Sequence, residues 1–217
     1  IRIKKSKQIK ANRFFIKFAR LIIKNFIIKY YNIKDINSVE VNNLDTPFLL
    51  IANHVHFWDP FVIGYFLKQH VYYVASDEYF RKFPFKQALK WLGAIPKTKF
   101  VSDSQTVRQI ITLKNQGHCI GVFPEGARSW DGDSLNVVES TYKLAQYLKL
   151  PIVSCQIRGG TLSFPRWASK PRKGVMELEY RIMTEKEFDF SEFDSVKEVI
   201  DRSIKYSEYD WQKKYMN

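Results

Sequence analysis

From residue 48 onward, short unbroken apolar runs alternate with stretches of helical periodicity. The runs at 48–52, 71–75, 94–95, 119–123, 152–157 and 175–182 predict strands, most of them apolar on both faces as buried parallel strands are. Between them, residues 60–68, 86–92, 104–115 and 137–149 predict helices. Ser102-Asp103 opens the third helix and Gly117 stops it, while the fourth ends before Pro151. Strands alternating with crossover helices predict an α/β domain with a mostly parallel central sheet flanked by helices. In such sheets, ligand sites gather beyond the C-terminal ends of strands. The charged tail at 191–217 predicts a surface helix.

The first 35 residues follow a different pattern. Lys7, Lys10, Arg13, Lys17, Arg20 and Lys24 recur at helical spacing along one face, backed by Phe14, Phe15, Ile16, Phe18, Leu21, Ile22, Ile23, Phe26, Ile27 and Ile28. A wide apolar face against a cationic one suits a helix lying in a bilayer interface, its lysines towards anionic headgroups. The plainer reading is a helix docked on the domain with a solvated basic face. A nucleic-acid-binding helix ordinarily exposes fewer large apolar side chains. The expected organisation is an N-terminal basic amphipathic membrane-associating segment at 1–35 and a catalytic domain at 36–217.

Charge strengthens that picture. The 217 residues carry 35 Lys+Arg against 22 Asp+Glu, a net +13, which calls for an anionic partner or surface without choosing which. The chain begins at Ile1 without methionine, as a trimmed or processed chain would, and no signal-peptide pattern or membrane-spanning run is present. Cys119 and Cys155 fall in strand-like runs and read as small core residues of a reducing compartment.

The candidate chemistry sits where the first predicted strand ends, in Asn53-His54-Val55-His56-Phe57-Trp58-Asp59-Pro60. Asp59-Pro60 is a favourable helix opening: the carboxylate can cap backbone N–H groups and proline fits the first helical position. Asp59 could then turn back to His54, hold one ring nitrogen and leave the other as a general base. Past a later strand end comes Phe123-Pro124-Glu125-Gly126-Ala127-Arg128-Ser129. Arg128 offers a bidentate fork for phosphate, and Gly126 allows a tight turn. Together the two segments resemble the HxxxxD and Pro-Glu-Gly motifs of the glycerolipid (1-acylglycerol-3-phosphate) acyltransferase family.

That resemblance covers roughly residues 48–158. It implies that His54 is the base and Asp59 its orienter. It also implies that Glu125, Gly126 and Arg128 serve acceptor binding and site shape. Gly93-Ala94-Ile95-Pro96-Lys97-Thr98-Lys99 resembles a third family motif and makes Lys97 and Lys99 candidate headgroup contacts. Lys99 stands where the family has arginine, and a point charge replaces a fork there. Leu150-Pro151-Ile152-Val153 resembles a fourth, weaker element. The segments from Gly159 to Trp167 and from Lys170 to Lys173 match no motif, and the loop after Ser129 lacks the family's phenylalanine–basic–glycine stretch.

The implied reaction moves a fatty acyl chain from acyl-CoA or an acyl-carrier protein to a lysophospholipid hydroxyl. The expected acceptor is 1-acylglycerol 3-phosphate, with no metal or organic cofactor and no nucleic-acid partner. The expected place is the cytoplasmic face of the cell membrane, peripheral or monotopic. Alternatives are a different lysolipid or glycolipid acceptor, or a non-catalytic membrane-binding protein on the same scaffold. A zinc site at His54-Val55-His56 is disfavoured because position 60 is proline, and no serine occupies a Gly-x-Ser-x-Gly elbow.

Overall fold

Among the described residues, seven strands form one sheet in the order β1-β7-β6-β2-β5-β3-β4. The computed structural model describes residues 9–98, 103–185 and 187–216; Lys7, Lys99 and Ser102 lie outside them. The strands are β1 (Ile33–Ile36), β2 (Leu49–Ala52), β3 (Val71–Ser76), β4 (Ile95–Lys97), β5 (Cys119–Val122), β6 (Ile152–Arg158) and β7 (Met176–Ile182). Every neighbouring pair is parallel except β6 with β7. The α/β architecture expected from the alternating pattern is therefore present. β1 was not foreseen, because Ile33-Lys34-Asp35-Ile36 carries only two apolar residues. It pairs with Met176 to Glu179 of β7, so the boundary expected at residue 35 falls inside a strand.

The helices are α1 (Arg13–Ile22), continued by a π-helical stretch (Ile23–Ile28), then α2 (Ser38–Asn42), α3 (Asp59–Phe66), α4 (Phe85–Leu92), α5 (Ser104–Asn115), α6 (Glu139–Leu148), α7 (Gly160–Ser163), α8 (Phe193–Ile204) and α9 (Glu208–Met216). A single 3₁₀ turn (Asp77–Arg81) joins β3 to α4. β2 shows how the layers form. All four of its residues are buried, and successive side chains enter opposite cores. Leu50 and Ala52 meet Val62 and Ile63 of α3 on one face, where Ile23 and Tyr31 also pack. Leu49 and Ile51 share the other core with Ile110 and Leu113 of α5, Leu148 of α6 and Ile200 of α8.

The tail is two helices rather than one surface helix. Val196, Ile200 and Ile204 recur at helical spacing and bury the inner face of α8, while Trp211 of α9 is buried as well. The high charge of the segment sits on the outer faces and hid this stripe. Cys119 and Cys155 are buried and unpaired, and burial pushes the Cys119 thiol up to about 11.

The N-terminal segment is docked and partly uncovered at once. Asn12 caps α1 by accepting from the N–H groups of Phe14 and Phe15, so Lys10 lies ahead of the helix. The Asn12 N–H donates to the Trp91 carbonyl, and the Phe15 ring lies 4.8 Å from Trp91, fixing α1 on α4. Arg20 departs from the expected basic face: its Nη2 donates to the carbonyls of Gly64 (3.0 Å) and Leu67 (2.6 Å), satisfying the C-terminal end of α3. Phe14, Phe18, Leu21 and Phe26 stay exposed, at 83%, 52%, 57% and 67%. Among the described residues no helix is long and apolar enough to cross a membrane.

Candidate active site

β2 occupies the middle of the sheet, and its chain leaves the ladder at Asn53. That residue is buried and copies a strand pair with its side chain. Its Nδ2 donates to the Ile157 carbonyl at 2.9 Å and its Oδ1 accepts from the Ile157 N–H at 2.7 Å. The departure point is thereby fixed to β6 although regular pairing has ended.

The next turn carries His54 and Asp59. Asp59 is fully buried. It does not cap α3 as its position suggested. Its Oδ2 instead faces backwards and accepts from His54 Nδ1 at 2.7 Å, the Val55 N–H at 2.9 Å and the His56 N–H at 2.8 Å. Proline next to Asp59 suits the first helical turn, whose N–H groups need no partner from within the helix. The His54–Asp59 contact expected from the spacing is thus formed. The His54 side chain retains 22% exposure, and its Nε2 makes no hydrogen bond to any described residue. The Phe123 ring stacks on the imidazole at 4.2 Å and restricts its tilt.

Glu125 approaches the same turn from the end of β5. One carboxylate oxygen accepts from the His54 N–H at 2.7 Å and the other from the Leu135 N–H at 2.9 Å. Both oxygens are engaged by the protein and the residue is buried, so its place is to clamp the His54 turn to the loop at 135 rather than to face an acceptor. Burial raises its pKa to about 7, opposed incompletely by those two backbone donors. Gly126 adopts φ +69°, a left-handed conformation that side chains resist, and its N–H closes a turn on the Phe123 carbonyl. This turn directs the chain back so that the Ser129 N–H reaches the His54 carbonyl at 2.8 Å.

Arg128 is therefore bonded through the next peptide to the His54 turn, and it is partly exposed. Lys97 ends β4, three strand spacings or roughly 14 Å from β2 at ordinary sheet geometry. The structure brings His54, Asp59, Glu125, Gly126 and Arg128 together; Lys97 lies along the same sheet edge without touching them, and Lys99 is outside the described residues.

Two residues of the site escaped the sequence reading. Asn53 was noticed only as a neighbour of the motif. His56 was considered only as a metal ligand, yet it is a buried support whose Nδ1 accepts from the Trp58 N–H at 3.1 Å. It packs edge-on against Tyr31 and Phe164, and burial lowers its pKa to about 4, so it stays neutral. The signal available was its spacing: His54 and His56 flank one residue at the end of a strand, and only one of the pair can face the crevice. Among the described residues, no group of three His, Cys, Asp or Glu side chains is arranged to hold a metal ion.

A carboxylate-held imidazole thus stands beside an arginine-bearing loop at the mouth of a mainly parallel sheet. The chain belongs to the Acyltransferase family, whose model matches residues 27–158. Among named relatives it is similar to the 1-acyl-sn-glycerol-3-phosphate acyltransferase of Saccharomyces cerevisiae, 30% identical over 144 residues, covering 61% of this chain and 46% of that protein. The enzyme of that name from Bacillus subtilis is 23% identical over 133 residues, covering 61% and 63%. The chain thus spans less than two thirds of either relative. It also resembles the crystal structure of the 1-acyl-sn-glycerophosphate (LPA) acyltransferase PlsC from Thermotoga maritima, with TM-score 0.70 and 25% identity over 86% of this chain and 77% of that one.

Proposed function

We propose that the protein transfers a fatty acyl group from a thioester donor to the free hydroxyl of a lysophospholipid, 1-acylglycerol 3-phosphate being the acceptor the site suits best. The observation that carries the reading is the His54–Asp59 pair at 2.7 Å with the distal nitrogen unclaimed. His54 Nε2 removes the hydroxyl proton as the oxygen attacks the thioester carbonyl. Asp59 stabilises the imidazolium that forms. The tetrahedral oxyanion then collapses, the C–S bond breaks, and the imidazolium returns the proton to the departing thiolate. Arg128 grips the acceptor phosphate, with Lys97 at the end of β4 as a further cation and Lys99 as the next candidate in the sequence. Glu125 and Gly126 act by shaping the turn. Acyl-CoA and acyl-carrier protein are both anionic donors suited to the +13 charge.

The same reading places the enzyme on an anionic membrane surface through the uncovered aromatic stripe of α1. α4, which carries α1, and the residues just before it add exposed Phe83, Phe85 and Trp91 beside Lys82, Lys86 and Lys90. The names of the relatives support the acceptor, and the cytoplasmic leaflet is the anionic surface a reducing compartment presents. The test is acyl transfer by purified protein beside His54→Ala, using acyl-CoA and acyl-carrier-protein donors against several lysolipids. Transfer to lysophosphatidic acid that disappears in the variant supports the reading. Equal activity in variant and wild type would refute it.

A further inference from the structure

The segment between β6 and β7 matches no motif, yet it is built over the active-site loop. It leaves β6 through Gly159, at φ +72°, where a Cβ would sit 2.4 Å from the Val175 carbonyl oxygen. Phe164 lies against His56 at 5.4 Å. The Arg172 N–H donates to the Ser163 carbonyl at 2.7 Å. These contacts fix the position of Arg166, whose side chain reaches the arginine loop. Its Nη1 donates to the Arg128 carbonyl at 2.9 Å, and its guanidinium carbon stands 4.6 Å over the Trp130 ring.

The Arg128–Ser129 peptide therefore links the two sites. Its N–H is given to the His54 carbonyl and its C=O to Arg166, so one planar unit separates the guanidinium from the catalytic turn. A carbonyl and an aromatic face orient the guanidinium without neutralising it. Among the described residues, no carboxylate lies within 4.0 Å of Arg166 or Arg128. The acids of this loop point elsewhere: Asp131 accepts from Ser129 Oγ and the Asp133 N–H, and Asp133 accepts from the Glu208 N–H. The Arg166 guanidinium, anchored on the Arg128 carbonyl and without a carboxylate partner, adds a second positive charge to the loop that carries Arg128, and a dianion is the ligand that offsets both.

We propose that Arg166 is a specificity-determining residue that binds, with Arg128, the phosphate monoester of the acceptor. The proposal rests on the acceptor role assigned to Arg128. A phosphate monoester carries between one and a half and two negative charges at pH 7, roughly, which one guanidinium cannot neutralise. Four of the five Arg166 N–H donors are not used by a described residue, enough for a bidentate contact. Arg166 does so from a segment outside the motifs, and it supplies a planar fork where a lysine would offer only a point charge.

The test is titration with glycerol 3-phosphate and, separately, with adenosine 3′,5′-bisphosphate, which carries the phosphate monoester of a coenzyme A donor. Wild type, Arg166→Gln and Arg166→Lys are compared, with thermal melting as a check on folding. Arg166→Gln should weaken glycerol 3-phosphate binding about tenfold or more, Arg166→Lys should recover part of it, and the nucleotide should bind all three alike. In turnover, KM for lysophosphatidic acid should rise in Arg166→Gln, with little change in kcat or in KM for an uncharged monoacylglycerol. Unchanged glycerol 3-phosphate binding in a folded variant, or a loss confined to the nucleotide, would overturn the proposal. Wild-type protein that binds glycerol 3-phosphate through Arg166 but transfers no acyl group would sink the acyltransferase reading and leave this site standing.

Discussion

Replacing Asp59 with asparagine removes a charge while leaving the turn intact, and the structure says why those effects separate. Asp59 Oδ2 has three donors on it, two of them the backbone N–H groups of Val55 and His56. Those two amides require an acceptor and so hold the asparagine oxygen in the Oδ2 position. The amide nitrogen then takes the place of Oδ1, which has no partner to lose. His54 keeps the same tautomer, with Nδ1 donating, and loses only the negative charge that stabilises its protonated form. A unit charge pair about 4 Å apart at an effective dielectric of about 20 interacts by roughly 4 kcal/mol, or about a thousandfold in rate. Asp59→Asn should therefore lower kcat by roughly two to four orders of magnitude while its urea midpoint stays near wild type. Asp59→Ala strips the acceptor from two buried backbone amides and should lose about 3 kcal/mol of stability or more. Steady-state acyl transfer and urea denaturation of both variants decide it. An Asp59→Asn enzyme retaining more than about a tenth of wild-type kcat would refute the charge argument. One that unfolds as readily as Asp59→Ala would refute the argument from the locked amide.

Two further outcomes follow from burial and exposure. Glu125 titrates near 7 in the folded protein against an ordinary 4.5. The folded state therefore holds this proton more tightly, and the resulting stability is full below about 4.5 and lost as pH rises through about 7. Relative to Glu125→Gln, wild type should lose about 3 kcal/mol between pH 4.5 and 7.5, measured by urea unfolding at stepped pH; a difference that stays flat with pH would remove the argument. The exposed stripe of α1 should govern vesicle binding. Phe14→Ser with Phe18→Ser should weaken sedimentation with anionic vesicles at least about tenfold without shifting the melting temperature, and undiminished binding would exclude α1 as the contact. Point variants are the right tool, because Ile23 lies in the core and deletion of the whole segment would open it.

The legible parts of this chain are those where one local rule decides. β2 and β5 are apolar on both faces, and only a strand between two helical layers satisfies that pattern. Asp103 was readable as a helix start because capping is local, and it accepts from the Gln105 and Thr106 N–H groups as expected. His54 and Asp59 were readable because a strand end followed by proline leaves few ways to turn. What stayed hidden depends on partners distant in sequence. β1 is a strand only because β7 lies beside it. Arg20 looked like one member of a basic row until α3 ended within its reach. The orientation of Asp59 was half legible: its partner followed from the spacing, but its two backbone donors require the tight backward turn, which the spacing alone does not specify.

The site then shows a division of labour that the motifs alone would misstate. Asn53, Asp59 and Glu125 are buried polar residues, and each directs hydrogen bonds at main-chain groups around the same short turn. Burying these groups is offset only where those main-chain bonds form, so their arrangement selects one conformation of the turn. His54 is held by its carbonyl to Ser129, by its amide to Glu125 and by its ring to Asp59 and Phe123. Nε2 is the single valence left over. A base so restrained needs its substrate brought to it, because it cannot swing to meet one. Under the proposed function, that requirement puts discrimination between acceptors on Arg128 and on Arg166 of the β6–β7 segment rather than on the histidine.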